Sequence, residues 1–243
     1  DGSRDGSAAI MQAFAAELEP GRCQCLAGSG QHLGVTASFM ALLQAAADDA
    51  AIDAVAFVDQ DDVWLPEKLA RGAAALCRAA ADRPVLYCAR QILVDAELRR
   101  IGLSGPPARR PGFPSALTQN IATGCTVMLN PAAIRLVAGS RPAAASLHDW
   151  WCYLLVTGSG GGIVQDETPV LLYRQHGDNL VGAPPSLARR ALAALQRGPA
   201  VFMGVLRQNV TALAAQPELL SAAAQADVAR LDRAVRGGRP ARL

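Results

Sequence analysis

The 243 residues of the chain fit one large domain, or one domain with an appendage. Hydrophobic residues make up 51% and charged residues 18%, which is enough for a full core and excludes disorder as the default state. The 23 basic and 21 acidic residues leave a formal charge of +2, so the composition gives no sign of a nucleic-acid partner.

The N-terminal segment has the pattern of a turn followed by a helix. Residues 1–7 are rich in Asp, Gly and Ser, and Ser7 is suited to cap a helix over residues 8–19. In α/β proteins such a turn normally follows a strand, so we expect at least one strand before Asp1 that this sequence does not include. Residues 23–27 predict a short strand, and residues 28–34 form a glycine-rich loop.

The middle of the chain alternates between predicted strands and predicted helices. Its apolar patterns predict helices over residues 35–47, over residues 66–81 and in a short segment from Pro131, with strands over residues 54–58, 85–94 and 125–129. Residues 102–114, rich in Pro, Gly and Arg, predict a mobile loop that is a candidate lid over a bound ligand.

The C-terminal part changes in character after residue 182. Before it, Asp149 is suited to cap a helix over residues 150–156, and residues 163–165 and 170–174 predict strands. After it, residues 186–236 are rich in Ala, Leu and Arg and have helical periodicity. We therefore expect a domain over residues 1–182 and a C-terminal helical extension over residues 183–243.

This order of elements predicts an α/β fold. Alternating strands and helices favour a mixed, mostly parallel, Rossmann-like central sheet flanked by helices, with the helical extension added at its C-terminus. In such sheets ligands bind beyond the carboxyl ends of the strands. The sequence from Asp59 to Asp62 follows the predicted strand over residues 54–58 directly, so this acidic segment is the first candidate site.

Three carboxylates within four residues repel one another unless a cation or hydrogen-bond donors neutralise them. Asp59 and Asp61 are hard oxygen ligands of the kind that Mg²⁺ and Mn²⁺ prefer. The alternative is a polar turn in which Asp61 or Asp62 caps a short helix. An EF-hand is excluded because the glycine and the distal glutamate of its loop do not follow.

The cysteines and the hydropathy pattern indicate in which cellular compartment the domain works. The six cysteines form no CxxC pair, which argues against a zinc site and favours free, mostly buried cytosolic thiols. No signal peptide and no apolar run long enough to span a bilayer are visible. We expect a soluble cytoplasmic domain that acts at a membrane only by docking there or by being carried there.

The segment from residue 57 to 69, FVDQDDVWLPEKL, strongly resembles the family 2 glycosyltransferases, and it is closest to their rhamnosyltransferase-like branch. These are GT-A enzymes that move a sugar from a nucleotide diphosphate to an acceptor. Four further segments match in the order of the family: residues 1–7, 120–130, 148–151 (HDWW) and 173–179 (YRQHGDN). The resemblance covers residues 1–182, and five short motifs in order make it specific.

The resemblance implies a role for each matching residue. Asp1 would lie near the base and ribose of a dTDP- or UDP-sugar. Asp59 and Asp61 would form the DxD pair that binds Mn²⁺ or Mg²⁺, with Asp61 the more direct ligand. Arg174 and His176 would contact the donor, and His176 would also ligate the metal. Asp149 would be the catalytic base, although a helix cap is its alternative reading.

Some features depart from the family pattern or stay open. Ser38 stands where the family usually has Asn. Trp64, Trp150 and Trp151 are able to stack on sugars, but tryptophans of this kind more often belong to the core, as we expect for Trp64.

The resemblance implies a single inverting displacement, with the sugar, such as rhamnose, passing to a glycan or lipid-linked acceptor in surface polysaccharide synthesis. Two other functions remain open. A metal-dependent nucleotidyltransferase would need a basic triphosphate loop, which the sequence lacks, and a non-catalytic binding module would be expected to have lost Asp61, Asp149 or His176.

The C-terminal helices have two candidate surfaces. Their arginines, interleaved with Leu, Val and Phe, favour peripheral contact with the anionic inner face of the cytoplasmic membrane. Packing on the core or on a second subunit is the alternative.

Overall fold

The computed structural model describes residues 3, 5–26, 30, 32–79, 82–175 and 187–236. Within them the α-helices are α1 (Ser7–Glu17), α2 (Val35–Ala47), α3 (Lys68–Cys77), α4 (Pro131–Ala138), α5 (His148–Gly158), α6 (Leu187–Ala214) and α7 (Ala222–Arg236). The strands are β1 (Val55–Ala56), β2 (Val63–Trp64), β3 (Val85–Val94), β4 (Arg100–Leu103), β5 (Met128–Leu129) and β6 (Gly162–Arg174).

The strands form one mixed sheet in the order β1-β5-β3-β6-β2, with β4 paired to β3. The longest pairing, between β3 and β6, is parallel. The other four, β1–β5, β2–β6, β3–β4 and β3–β5, are antiparallel. The expected mixed sheet between helices is confirmed, whereas its mostly parallel character holds only for the central pair. The outer strands are short and return along their neighbours, which gives antiparallel pairs.

Strand β3 lies at the centre because nearly all of its side chains are apolar and buried. Its side chains alternate between the two faces of the sheet. Leu86 and Cys88 pack into the larger core with α2, α4 and α5, while Val85 and Tyr87 pack on the other face against α3. The sheet is therefore covered by helices on both faces, as predicted.

The C-terminal segment is helical, as predicted. Leu206, Val210 and Leu213 of α6 and Val228 of α7 are buried in the same core as Leu86 of β3. The helices thus pack on the part of the chain that forms the sheet, and the domain boundary at residue 182 stays a prediction. Among the described residues, none of the helices has the length and apolarity needed to cross a membrane.

Several local expectations are wrong. Residues 23–26 form no strand in the structure; they are exposed and pair with no strand among the described residues. Helix α1 begins at Ser7 and its N-cap is Gly6. The two predicted C-terminal strands form one continuous strand, β6. Cys23, Cys25 and Cys77 are exposed, so only half of the thiols are buried.

Hydrogen bonds connect the predicted mobile loop over residues 102–114 to the rest of the fold. It begins within β4, whose last residue is Leu103. The Arg90 guanidinium donates to the Ser104 carbonyl, and the Gly112 amide donates to the Tyr153 hydroxyl over 3.0 Å. The Arg109 amide donates to the Gln119 side chain over 3.1 Å. A lid role for this loop stays a prediction.

Candidate functional site

The acidic segment lies where the sequence placed it, just after strand β1. Phe57 anchors the end of the strand: it is buried, and its amide donates to the Val127 carbonyl over 3.2 Å. The chain then turns at Gln60 and Asp61 and enters β2. Asp59 is half-buried, and burial first, then the charges of Asp62 and Asp61, raise its pKa to about 6. An adjacent positive ion would reverse this shift.

The carboxyl end of β6 holds the acidic segment in place. The Arg174 amide donates to Asp62 Oδ1 over 3.0 Å, and Arg174 Nε donates to the Asp61 carbonyl over 2.8 Å. The same guanidinium also donates to the Ala96 carbonyl. Arg174, expected to bind the donor, therefore positions the turn from Asp61 to Asp62 by bonds to its backbone and side chain.

The ligand geometry differs from the predicted DxD pair. Ligand atoms of Asp59, Asp62 and Cys125 all lie within 4.8 Å of one another, and Asp61 is not part of this group. Asp62 is drawn inward by the Arg174 amide, which the sequence does not reveal. Cys125, which the sequence analysis treated only as part of a motif, lies in the 3₁₀ turn Gly124–Thr126 and is buried.

The donor set fits a divalent cation. Asp62 Oδ2 is buried, and a carboxylate oxygen of Asp62 lies within 4.8 Å of Cys125 Sγ. Burial raises the pKa of Asp62, and burial together with the charge of Asp62 raises the pKa of the Cys125 thiol well above its usual range. Bringing these groups together has an electrostatic cost that a cation would remove.

Asp149 of helix α5 is hydrogen-bonded to the 3₁₀ turn that carries Cys125. Its side chain is 8% exposed. Asp149 Oδ1 accepts from Asn120 Nδ2 over 3.1 Å, and Oδ2 accepts from the Gly124 amide over 2.9 Å. Burial raises the pKa of Asp149 to about 6, against the lowering effect of these donors, and Asp59 adds to the rise. The charge of Asp59 therefore acts on Asp149, although 90 residues separate them in sequence.

Asp149 is not the N-cap of helix α5, which was the alternative considered for it. The N-cap of α5 is Leu147, and Asp149 lies inside the first turn of the helix. Its carboxylate instead links α5 to Asn120 and to the 3₁₀ turn that carries Cys125. The structure thus shows a buried carboxylate at a helix N-terminus, where the helix dipole favours its negative charge.

Two further buried side chains border this pocket, and the sequence analysis assigned no function to either. His148 stacks on Phe39 with ring centroids 3.9 Å apart, and neither ring nitrogen has a hydrogen-bond partner among the described residues. Burial lowers its pKa to about 4. Lys68 lies with its ammonium 3.9 Å from the centre of the Trp64 ring. The position of His148 directly before the predicted base Asp149, and that of Lys68 six residues after Asp62, are the signals that could have drawn attention to them.

The other tryptophans are structural in this fold. Trp151 is fully buried and its indole N–H donates to Ser140 over 2.8 Å. Trp150 is half-buried and donates to the Ala116 carbonyl over 2.7 Å. Asp1 and His176, expected to contact the base and the metal, lie outside the described residues.

Residues 1–129, more than half of the chain, match the family model described as Glycosyl transferase family 2. The matched part contains Asp59, Asp62, Lys68 and Cys125, and it ends before Asp149 and Arg174. The mixed sheet between helices agrees with the GT-A fold. No curated protein matches the chain.

Proposed function

The chain belongs to glycosyl transferase family 2, and we propose that it is an inverting transferase that moves a sugar from a nucleotide diphosphate to an acceptor hydroxyl. The family implies a nucleotide-sugar donor and an acceptor. The finer proposal is a dTDP- or UDP-sugar, such as the rhamnose donor, and a glycan or lipid-linked acceptor in the synthesis of a cell-surface polysaccharide in the cytoplasm. The motifs around Asp59, Asp149 and Arg174 support this choice.

One observation carries the proposal: Asp149 accepts a hydrogen bond from the Gly124 amide over 2.9 Å, and the neighbouring Cys125 lies with Asp59 and Asp62 in one group of ligand atoms within 4.8 Å of one another. Burial raises the pKa of both Asp59 and Asp149 to about 6, which supports the same reading. Separated acidic groups with raised pKa values are typical of sites that bind cations and transfer protons.

The donor end of the site is the acidic segment. Asp59 and Asp61 would hold Mn²⁺ or Mg²⁺, with Asp62 and Cys125 nearby and His176 as the proposed further ligand. When bound, the metal neutralises charge on the diphosphate leaving group. Arg174 keeps Asp61 and Asp62 in position through its three bonds to the segment and to Ala96. Asp1 would contact the base and ribose.

The acceptor end is Asp149. Its carboxylate takes the proton of the acceptor hydroxyl while the hydroxyl oxygen forms a bond to the anomeric carbon. The bond from that carbon to the diphosphate oxygen breaks on the opposite face, so the configuration inverts. A pKa of about 6 leaves Asp149 mainly ionised at neutral pH and more basic than an ordinary aspartate. Asn120 and Gly124 orient the carboxylate.

The test is nucleotide binding with and without metal. Titration calorimetry with UDP and dTDP should show binding in Mn²⁺ and loss of binding after EDTA. Asp61→Ala should remove the metal-dependent part while circular dichroism shows an intact fold. Asp48→Ala, an exposed acidic residue at the C-cap of α2, is the matched control. Affinity for both nucleotides that is unchanged by EDTA and by Asp61→Ala would contradict the proposal.

Peripheral membrane contact through the C-terminal helices is part of the same proposal. Val201 and Phe202 of α6 are exposed apolar side chains, and Arg207 is exposed one to two turns further along. Such a surface suits an anionic bilayer. The protein should co-sediment with vesicles containing anionic lipid, and Phe202→Ser should weaken this binding. Equal recovery with neutral and anionic vesicles would remove the membrane contact from the proposal.

A further inference from the structure

His148 belongs to a cluster of three aromatic rings that joins two parts of the candidate site. Its ring stacks on Phe39 of α2, with centroids 3.9 Å apart, and meets Phe57 edge-on, with centroids 5.1 Å apart. Phe39 and Phe57 also contact each other, at 5.4 Å between centroids. Phe57 precedes Asp59 by two residues, and His148 directly precedes Asp149. The three rings therefore connect the end of strand β1 to the first turn of helix α5.

The fourth neighbour of the His148 ring is Gly124. A β-carbon added to Gly124 would lie 2.7 Å from His148 Nε2 and 3.1 Å from its Cε1, so glycine is the residue that leaves room for the imidazole. The Gly124 amide donates to Asp149 Oδ2 over 2.9 Å, and the next residue, Cys125, shares a group of ligand atoms with Asp59. The ring thus packs against the turn that holds the Asp149 carboxylate.

The two nitrogens of the ring take no part in these contacts. Neither has a hydrogen-bond partner among the described residues, although the side chain is only 7% exposed. Burying unpaired polar atoms has a cost that an aliphatic or phenyl side chain would avoid. The property that remains is shape: imidazole is a flat ring that stacks on Phe39, and it is shorter than a phenyl ring, as the close approach to Gly124 requires.

We propose that His148 is a positioning residue of the transfer reaction: its ring fills the space between Phe57 and Gly124 and keeps the Gly124 amide bonded to the Asp149 carboxylate. A reacting group that is misplaced by about 1 Å slows a reaction by up to ~100-fold, so a packing contact behind the base is sufficient to affect transfer. The inference rests on the proposed function, because the role assigned to His148 is exercised through the proposed base.

The first test observes this hydrogen bond without substrate or metal. Protein labelled at threonine carbonyl carbons and glycine nitrogens gives amide signals for the two glycines that follow a threonine, Gly124 and Gly158. An amide that donates to a buried carboxylate is shifted downfield and exchanges slowly with solvent, as we expect for Gly124 in the wild type. In His148→Ala its signal should move upfield and exchange at least ~10-fold faster. Gly158, the last residue of α5, is the internal reference.

Leu155→Ala is the matched control. Leu155 is fully buried in the same core cluster and lies about two turns of α5 beyond His148, so its truncation leaves a cavity away from Gly124. The Gly124 signal should keep its wild-type position in this variant. A folded His148→Ala protein with an unchanged Gly124 signal would overturn the proposal. Equal changes in His148→Ala and Leu155→Ala would also overturn it, because the effect would then come from any loss of packing.

A second variant approaches the same contact from the other side. Gly124→Ala places a methyl group against the ring and should also speed exchange of the amide at position 124, which is observed by labelling alanine in place of glycine. In the double variant with His148→Ala the methyl group enters the space left by the ring, so exchange should be slower than in Gly124→Ala alone. Wild-type exchange in Gly124→Ala, or no recovery in the double variant, would contradict the proposed contact.

The consequence for transfer is a change in kcat with little change in the donor KM, because the base acts only in the transition state. With a dTDP- or UDP-sugar that the wild type turns over, His148→Ala should lower kcat about tenfold or more, and Leu155→Ala should not. A wild-type kcat in His148→Ala would count against the positioning role. The expected amide signals without metal-dependent nucleotide binding would count against the proposed function alone.

Discussion

His148 and Asp149 are neighbours in sequence, and both are buried, with exposed fractions of 7% and 8%. Burial disfavours the charged form of each, so it lowers the pKa of His148 to about 4 and raises that of Asp149 to about 6. The two shifts act on stability in opposite directions below neutral pH. His148 contacts Phe39 and Phe57 only through its ring faces and edges, so nothing among the described residues compensates its charged form.

The first prediction concerns the effect of His148 on acid stability. Its pKa in the fold, about 4, lies below the unfolded value of 6.5, so the unfolded state binds the extra proton between these pH values. The contribution of His148 to the free energy of unfolding should therefore fall as pH falls from 6.5 to 4. In His148→Leu this loss, on the order of 3 kcal/mol, should be absent.

Urea unfolding of wild type and His148→Leu at several pH values measures this effect. The difference between the two proteins isolates His148, because the opposite contributions of Asp149 and Asp59, which strengthen folding as pH falls through about 6, are common to both. A difference that stays constant between pH 4 and 7 would show that His148 is not desolvated in the fold.

The second prediction concerns the role of Asp149 as the base. Asp149→Asn keeps the size and the bond to Gly124 but removes the proton acceptor. Because a base acts only in the transition state, transfer should slow by ~100-fold or more while donor binding changes little. Turnover and donor calorimetry on the same preparation measure both quantities, with Asn120→Ala as the variant that removes the bond at Oδ1 and keeps the carboxylate. Normal turnover in Asp149→Asn would contradict the base assignment, and Asp149 would then serve only to link α5 to Asn120 and Gly124.

The sequence predicted part of this site and missed part for a physical reason. Asp59 was predictable because it follows a buried strand directly, and the carboxyl ends of strands are where ligands bind. The grouping of Asp59 with Asp62 and Cys125 was not, since it depends on an amide of β6 that lies 112 residues further along the chain. The burial of Lys68 was equally hidden, because a lysine in the first turn of a helix is ordinarily solvated.

At the scale of elements, Asn130 and Asn209 are two buried asparagines in opposite situations. Asn130 Oδ1 accepts from the Val85 amide at 2.9 Å and from the Ala133 amide at 3.0 Å, and its Nδ2 donates to the Arg83 carbonyl at 2.8 Å. One side chain thus caps α4 and fixes the start of β3. Asn209, in α6, is fully buried, and neither polar atom of its side chain has a partner among the described residues.

The third prediction follows from this contrast. Asn130→Ala should lower the free energy of unfolding by roughly 2–4 kcal/mol, because it removes a cap and leaves buried backbone groups unpaired. Asn209→Leu, which keeps the branching at Cγ, should leave stability unchanged or raise it by about 1 kcal/mol, since the buried amide is lost together with its desolvation cost. Urea unfolding of the two variants measures both changes. A loss in Asn209→Leu as large as that in Asn130→Ala would show that Asn209 has a partner in solution.

Elements with a strong internal pattern were predicted well, and those that depend on distant partners were not. Helix α2 and strand β3 have the predicted bounds because their apolar residues follow one period throughout. The segment over residues 23–26 has the composition of a strand, but a strand exists only when a neighbour completes its hydrogen bonds. The merging of two predicted strands into β6 likewise depends on β3, which pairs along its length.

At the scale of the whole molecule, the C-terminal helices and the sheet share one core. Leu213 of α6 and Leu86 of β3 are fully buried in the same cluster, together with Trp151 of α5. A protein with a shared core is expected to unfold as one unit, whereas an independent extension would unfold separately. The sequence analysis expected a separate extension after residue 182, and cooperativity decides between the two descriptions.

The fourth prediction uses the distribution of tryptophans. Trp64, Trp150 and Trp151 are all in the part of the chain before residue 152, so their fluorescence reports on that part alone. Leu213→Ala should lower the free energy of unfolding by roughly 2–5 kcal/mol, the usual cost of a cavity at a buried leucine. Because the core is shared, the transition seen by tryptophan fluorescence should shift as far as the one seen by far-ultraviolet circular dichroism. Leu42→Ala, at an exposed leucine of α2, should shift both by little and serves as the control. If Leu213→Ala leaves the fluorescence transition in place and shifts only the circular dichroism, the helices form an extension that folds by itself.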